Sequence, residues 1–477
     1  MHMYTKKAHI HFVGIGGIGM SGIAKILACQ KYTISGCDAD TDQESIRDLK
    51  KLGCTIYHGN NTPVCSDPTI DILVYSTAIR ADDPEIIAAQ KRGIATIHRA
   101  LMLAELMRTK YSIAITGAHG KTTTTSLIAH ILTLARTDPT VIVGGHVKNF
   151  STNAHLGSGD FLVAEADESD RSFLHLYPTI ALVTNIDLEH LETYKNIDDI
   201  KHTFGQFLSH IPFYGKAILC IDNEHIRSLL PIPHIKIISY GIEHDADIYA
   251  TNITIDTDSS SFTVHCRRTI QTLGTIILAI PGIHNVYNAL GAITLAIDLE
   301  IPFATISHAL ATFKGVERRF SYRGLLNGAE LFDDYGHHPV ELYHTFAVAR
   351  KRAKNRLIVV FQLHRYTRTA ALWQHFIDLF VKSPLDYLIL TDIHPASEAP
   401  ISGITAHQFA QSLQTHNPPF PVIYIPLDGT FSAIRQHLFS AAAPDDLILL
   451  QGAGKIYKVA EIAEKMKKGL EIIKPFY

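Results

Sequence analysis

Neither sign of charge dominates this chain of 477 residues: 43 Lys and Arg stand against 46 Asp and Glu, a formal net charge of −3. Without a basic excess there is no field to hold nucleic acid or an anionic membrane, and neither is expected as a partner. Six cysteines occur, Cys29, Cys37, Cys54, Cys65, Cys220 and Cys266, with no C-x-x-C pair and no zinc spacing. That usage fits a reduced compartment. No apolar run approaches the length of a membrane span, and the opening MHMYTKKAHIHF lacks the apolar core of a signal peptide. The expectation is a soluble, cytoplasmic protein with no membrane insertion. Repeats of solenoid period and low-complexity tracts are also missing, so a stacked-repeat architecture is excluded.

What the chain does have is length and alternation. At 477 residues, 46% of them apolar, two to four domains with real cores are expected. Strand-like and helix-like patterns alternate from end to end, which is the signature of parallel α/β sheets. Three blocks separate, at 1–109, 110–314 and 315–477. Within the second, the stretch KIISYGIEHDADIYATNITIDTDSSSFTVHCRR reads as more irregular and antiparallel. The 28 histidines are too many for any one to earn a role outside a motif.

The most informative segment is YSIAITGAHGKTTTT at 111–125. An apolar strand ends in Gly117-Ala118-His119-Gly120-Lys121-Thr122-Thr123 and opens into SLIAHILTLA, which has helical spacing. Glycines let a backbone wrap a polyphosphate, so that successive N–H groups and a helix N-terminus face it. Lys121 is placed to reach the β- and γ-phosphates and the Thr122 hydroxyl to ligate Mg2+. The loop is shorter than the usual G-x-x-x-x-G-K-[ST], because Ile115 stands at the first glycine position.

Two clusters follow later strands of the same block: Glu165-Ala166-Asp167-Glu168-Ser169-Asp170 after FLVA, and Asp187-Leu188-Glu189-His190 after IALVTN. Ligands of open parallel sheets gather at the carboxyl ends of strands, which puts both clusters beside Lys121 and Thr122. Carboxylates are natural hard ligands for Mg2+; the imidazole is less usual. In the first block Gly14-x-Gly16-x-x-Gly19 follows a strand and opens a helix, and Asp38 ends the next strand. That fingerprint suits the pyrophosphate of NAD or of a UDP-sugar equally. The third block carries Arg318-Arg319-Phe320, then Asp333-Asp334-Tyr335-Gly336-His337-His338-Pro339, then His364-Arg365-Tyr366-Thr367-Arg368. Arginines at a strand end grip carboxylate or phosphate oxygens in bidentate fashion.

Taken in order, GIGGIGMSGIA, STAI, TGAHGKTTT, EADESDRSFL, TNID-x-x-H-x-x-TY, GIHNVYNALGA, ERRF, DDYGHHP and HRYTRT cover essentially the whole chain. Through them the sequence resembles the Mur ligases of peptidoglycan synthesis. The resemblance implies an α/β protein of three domains: an N-terminal Rossmann-like domain for a UDP-sugar, a central P-loop ATPase domain with a mostly parallel sheet, and a C-terminal Rossmann-like domain. Its N-terminal, acidic and DDYGHHP motifs point to the member that joins L-alanine to the lactyl carboxylate of UDP-N-acetylmuramate, using ATP and Mg2+, with Mn2+ as a substitute, through an acyl phosphate.

By the same resemblance, Gly117 to Thr123 match the ATP loop, and Thr122, Glu165 and His190 the metal positions. His284, Asn285 and Asn288 match an HN-x-x-N turn whose asparagines lie against adenine; Arg319 and Asp334 match positions near the ATP phosphates and ribose. Gly14, Gly16, Gly17, Gly19, Ser76 and Thr77 fall to the UDP-sugar. His337, His338, Arg365 and Arg368 match the residues nearest the muramyl group and the amino acid, with His337 or His338 as the base for the amine. Ala118 replaces a common Thr, Leu188-Glu189 replaces Ala-Asp, and Lys455 stands where relatives carry an acidic or small residue.

Three other readings compete with this one. A ligase adding a preformed peptide to the same sugar nucleotide, as in wall recycling, is disfavoured by the N-terminal motif. An NAD-dependent oxidoreductase, built on Gly14–Gly19 and Asp38, leaves Lys121, Thr122, Glu165 and His190 unexplained. A nucleotide sensor without catalysis is the third. Oligomeric state is left open by the sequence.

Overall fold

The structure, a computed structural model, describes residues 8–59, 67–80, 82–149, 152–396 and 398–460; Cys65 lies outside them. These form two compact units, one drawn from 1–253, 261–279 and 285–314, the other from 254–260, 280–284 and 315–477. No helix among the described residues is long and apolar enough to cross a membrane.

The first unit contains a five-stranded sheet of β1 (His9–Val13), β2 (Thr33–Asp38), β3 (Thr55–His58), β4 (Ile72–Tyr75) and β5 (Ala95–His98). The order is β3-β2-β1-β4-β5 and every pairing is parallel. Apolar runs such as HIHFV and ILVY are short and buried along nearly their whole length, as parallel strands are. His11 interrupts this core and is fully buried; its Nε2 meets the Glu85 carboxylate at 2.9 Å and its Nδ1 meets Ser35 Oγ at 2.9 Å.

Ten strands follow: β6 (Tyr111–Thr116), β7 (Thr140–Val147), β8 (Thr152–His155), β9 (Phe161–Glu165), β10 (Ile180–Val183), β11 (Lys216–Cys220), β12 (Lys236–Gly241), β13 (Ile248–Ile255), β14 (Ser260–Cys266) and β15 (Gln271–Leu278). Their order is β15-β14-β13-β12-β11-β10-β6-β9-β7-β8. Strand β6 lies between β10 and β9, parallel to both, so the segments leaving these three strands converge at one edge. The antiparallel expectation for the KIISYG stretch fails at β12. That strand pairs in parallel with β11 and with β13, because the loop between β12 and β13 crosses back instead of making a tight hairpin. The four-residue links after β13 and β14 are too short for parallel crossovers.

The two sheets of this unit are welded through the helix Ile18–Cys29. Asn153 of β8 donates to the Ile18 carbonyl (2.8 Å) and Ser21 Oγ (3.1 Å), and the buried Lys25 ammonium meets Asn153 Oδ1 (2.9 Å) and Asp48 (3.1 Å). Gly22 permits the approach: a Cβ there would lie 3.3 Å from Ile142.

The second unit holds β16 (Ser321–Leu326), β17 (Ala329–Asp334), β18 (Leu357–His364), β19 (Tyr387–His394), β20 (Val422–Tyr424) and β21 (Leu447–Gln451), ordered β16-β17-β21-β18-β19-β20. Only the β16–β17 pair among these is antiparallel. Strand β18 is buried on both faces. Leu357, Val359, Phe361 and Leu363 join Phe376, Phe380 and Phe409 on one side, while Ile358 and Val360 join Leu438 and Ile448 on the other. Truncating a phenylalanine in such a core costs about 3–5 kcal/mol.

Candidate active site

The loop after β6 is held in shape by the segment leaving β10. Ala118 N–H donates to the Asn185 carbonyl (3.2 Å) and His119 N–H to Asn185 Oδ1 (2.9 Å). Thr184 Oγ1 and Asn185 Nδ2 both donate to the His119 carbonyl, at 2.6 and 3.0 Å. Two glycines are obligatory. Gly117 (φ 131°) and Gly120 (φ 83°) adopt left-handed backbone, and a Cβ would overlap Thr184 Oγ1 at the first and Asn288 Oδ1 at the second. The helix Lys121–Leu134 then starts with no side-chain cap, which leaves its first N–H groups for an anion. Thr123 is buried in the helix's first turn.

Lys121 points back over this loop. Its ammonium donates to the Gly117 carbonyl (2.6 Å) and the Ala118 carbonyl (3.2 Å), and to Glu168 Oε1 at 2.7 Å. Burial lowers the lysine's affinity for its proton, but Glu168 and Asp167 outweigh it and the pKa is raised. Burial likewise pushes His190 down. Glu168, Glu192 and Glu189 reverse the sign and lift it to about 9, so the ring carries a proton at neutral pH. His190 Nε2 lies 3.5 Å from Glu168 and 3.4 Å from Glu189.

The donor set fits a hard divalent cation. Thr122 Oγ1 and Glu165 Oε2 are 3.3 Å apart, and the other Glu165 oxygen accepts from Gly144 N–H at 2.8 Å. Glu168 Oε2 is buried with no hydrogen-bond partner among the described residues, a charge that wants a counter-ion. Hard oxygen ligands of this kind suit Mg2+ or Mn2+. As a ligand His190 must first give up its proton.

The two asparagines of the HN-x-x-N turn are linked to each other, Asn288 buried and Asn285 half-buried. Asn288 is buried on the phosphate loop, where its Oδ1 accepts from Thr124 Oγ1 (3.3 Å) and its Nδ2 donates to Asn285 Oδ1 (3.3 Å). His284 falls in the second unit, beside His344; burial, then His344 and Arg319, lower its pKa to about 3.

At the end of β1, Gly14 (φ 76°) and Ile15 both donate to the Cys37 carbonyl, and Gly16 N–H donates to Asp38 Oδ2 at 2.8 Å. Asp38 therefore directs its carboxylate to the glycine loop and to Asp40 N–H. Gly17 precedes the Ile18–Cys29 helix, which has no side-chain cap and no acidic residue in its first turn. Ser76 is half-buried and Thr77 exposed at the end of the adjacent β4. The sequence reading missed His98 and Arg99 at the end of β5. Their signal was present: a polar pair directly after a strand and opening a helix.

In the second unit the DDYGHHP segment is organised from within. Asp334, nearly buried, accepts from Phe320 N–H (2.8 Å), Gly336 N–H (2.8 Å), Thr345 Oγ1 (3.4 Å) and Gln451 Nε2 (2.7 Å). Its carboxylate is thus committed to shaping the loop. His338 caps the helix Pro339–Arg352: its Nδ1 accepts from Val340 N–H at 3.4 Å, while Glu341 accepts from the N–H groups of His337 (2.9 Å) and His338 (3.2 Å). Arg319 reaches the same Glu341 at 3.4 Å. His337 packs against His364, ring centres 5.1 Å apart, and Arg368 donates to His364 Nδ1 at 3.1 Å. Arg365 lies 3.3 Å from Glu398. Burial, then the neighbouring His337 ring and the Arg368 guanidinium, drives His364 down to about 2.

Residues 9–111 match the model of the Mur ligase family catalytic domain, 115–296 that of the Mur ligase middle domain, and 318–454 that of the Mur ligase glutamate ligase domain. A UDP-N-acetylmuramate–L-alanine ligase of Geotalea uraniireducens is 47% identical over 469 residues, covering 98% of this chain and 100% of that one. The chain belongs to the Mur ligase family. Its three sheets are the parallel, mostly parallel and mixed sheets of the three-domain Mur ligase fold. The UDP-N-acetylmuramate–alanine ligase of Thermotoga maritima superposes with a TM-score of 0.80 at 25% identity, over 97% of this chain and 99% of that one. A murein peptide ligase of Psychrobacter arcticus gives a TM-score of 0.72 at 24% identity over 98% and 100%, a likeness of fold alone.

Proposed function

We propose that this Mur ligase joins L-alanine to the lactyl carboxylate of UDP-N-acetylmuramate at the expense of ATP, in cytoplasmic synthesis of peptidoglycan precursors. The observation that carries the reading is the near full-length identity of 47% to a ligase of that name. The domains are taken as 1–109 for the sugar nucleotide, 110–314 for ATP and 315–477 for the amino acid, in line with the three family segments.

A carboxylate is a poor electrophile, so it must be activated before an amine can attack. Its oxygen attacks the γ-phosphorus of ATP, the bond to ADP breaks, and an acyl phosphate forms. The loop Gly117 to Thr123, shaped by Asn185, presents the N–H groups at the start of the following helix to the polyphosphate, and Lys121 balances charge on the transferring group. Thr122, Glu165 and His190 would hold Mg2+ or Mn2+, which supplies further charge neutralisation. Asn288 and Asn285 fix the loop from behind and border the adenine position; Arg319 and Asp334 set the segment nearest the ATP phosphates and ribose.

The L-alanine amine then attacks the acyl carbon, phosphate leaves, and the ammonium proton passes to a base. Of the two adjacent histidines His337 suits this better. Its Nδ1 donates to the Tyr335 carbonyl at 3.1 Å, which leaves Nε2 with its lone pair, whereas His338 is spent on the helix cap. Arg365 and Arg368 offer guanidinium donors to the amino-acid carboxylate or the departing phosphate.

The test is phosphate release from ATP with Mg2+ and UDP-N-acetylmuramate, with and without L-alanine. Release that needs both substrates is expected. Release with a tripeptide and none with L-alanine would move the chain to the recycling ligases.

A further inference from the structure

We propose that Arg99 anchors the pyrophosphate of the sugar nucleotide and registers it against the ATP loop; this rests on reading Gly14–Gly19 as the sugar-nucleotide site. Strand β5 pairs with β4 so that His98 stands opposite Tyr75, the residue before Ser76 and Thr77. The Tyr75 and His98 rings meet edge to face at 5.9 Å. Arg99, next in the chain, therefore emerges at the same carboxyl edge as the glycine loop and the Ser76-Thr77 segment, where parallel sheets collect their ligands.

Three features single out its guanidinium. It occupies the room that a side chain at Gly19 would take: a Cβ there would lie 2.7 Å from Arg99 Nη1. Gly19 is in the first turn of the Ile18–Cys29 helix, whose N-terminus no side chain caps. An anion seated on that helix start would meet backbone N–H groups and Nη1 together. Second, the side chain is only 22% exposed, so it is held and does not sweep through solvent. Third, among the described residues it makes one hydrogen bond, from Nη2 to Asp167 Oδ2 at 2.7 Å. A latch to Asp167 accounts for that single donor. It does not account for Nη1, which stands against Gly19.

The Asp167 contact explains the second half of the proposal. Asp167 is fixed in turn by Ser169 N–H, which donates to its Oδ1 at 3.1 Å. It lies between Glu165, which meets Thr122, and Glu168, which meets Lys121. One planar group thus touches the helix start of the sugar-nucleotide loop and the acidic segment of the ATP loop. Its rigid fork suits that double contact better than a lysine would. Asp170 Oδ2 and His98 Nε2, 4.0 Å apart, align a second pair alongside it.

The experiment measures calorimetric affinities for UDP and for UDP-N-acetylmuramate, together with the KM for ATP, in the wild type, Arg99→Ala and Arg99→Lys. At least a tenfold loss of affinity for both ligands is expected in Arg99→Ala, with partial recovery in Arg99→Lys and a KM for ATP within twofold of wild type. Unchanged UDP affinity with weakened UDP-N-acetylmuramate would assign the guanidinium to the lactyl carboxylate and overturn the proposal. Unchanged UDP affinity with a raised KM for ATP would reduce Arg99 to a latch on the acidic segment. A wild type that binds neither ligand would instead remove the sugar-nucleotide reading itself. Arg99→Lys keeps the comparison decisive if Arg99→Ala melts early.

Discussion

At the phosphate loop Gly120 packs directly on Asn288, and the contact makes a quantitative prediction about Gly120→Ala. Alanine in left-handed backbone costs about 1–2 kcal/mol, offset by about 0.5–1 kcal/mol from the stiffer unfolded chain. The new methyl also has no room, because the Asn288 carboxamide oxygen already occupies its position. Asn288 is only 6% exposed, and moving it breaks its links to Thr124 and Asn285. Disrupting such buried polar groups costs about 1–3 kcal/mol. The net loss for Gly120→Ala is then about 2–4 kcal/mol of local stability, with a raised KM for ATP because the loop must shift.

Asn288→Ala alone loses the same two hydrogen bonds and leaves a small cavity. In the double variant the methyl meets empty space, so only the backbone strain is added. The double-mutant cycle should therefore show favourable coupling of at least about 1 kcal/mol, well above the ~0.5 kcal/mol scatter of independent sites. Urea denaturation followed by tryptic cleavage of the ATP unit, together with KM for ATP, reads both arms. Additive effects would refute the argument, since they would mean the carboxamide yields freely and the glycine is needed for its dihedral angle alone.

Lys121→Ala should lower substrate-dependent phosphate release by at least about 100-fold; activity within tenfold of wild type would remove Lys121 from the chemistry. His338→Ala should cost about 1 kcal/mol of stability through the lost helix cap, and His338→Asn should recover it. An inactive His338→Asn of normal stability would transfer the base from His337 to His338. His364 makes a pH prediction. Its folded pKa is depressed from 6.5 to about 2, so the neutral ring is favoured in the fold. That contribution is complete above the unfolded pKa and drains as pH falls below about 6.5, reaching about 2 kcal/mol at pH 5. His364→Gln should flatten the loss of stability between about pH 7 and pH 5 by that amount, measured as urea midpoints; an unaltered pH profile would refute it.

The parts of the site legible in the sequence are those in which one short segment carries both the backbone demand and the chemistry. Gly117, Gly120 and Lys121 are such a case: the glycines, the lysine and the helix start lie within one loop, and local geometry decides them. The strands were legible for the same reason, since a run such as RLIVVFQ needs no partner to be recognised as buried on both faces. What was not legible is pairing between distant segments. Nothing in the spacing of Asn285 and Asn288 says that the second would press on Gly120, more than 160 residues away in the chain. Asp334 likewise reads as a free carboxylate until Phe320, Thr345 and Gln451 are found around it. The parallel β12–β13 pairing was hidden because turn-like residues between two strands fix the presence of a loop and not its handedness.

This division bears on how the two nucleotide loops act together. On the proposed function each glycine loop is a local solution to holding phosphate, and each could be drawn from the sequence alone. Their separation is a different quantity, set by Asn153 against the Ile18–Cys29 helix, by the buried Lys25 and by Arg99 on Asp167. In-line transfer from ATP to a carboxylate tolerates little error in that separation, since misplacement by an ångström costs of order 100-fold. Residues far from either phosphate therefore carry catalytic consequence. Lys25→Met illustrates it: the substitution removes a buried cation from Asp48 and Asn153 while leaving both glycine loops intact. It should lower kcat for phosphate release by more than it raises either KM. A rise confined to KM would mean that the weld holds the loops in shape and does not set their distance.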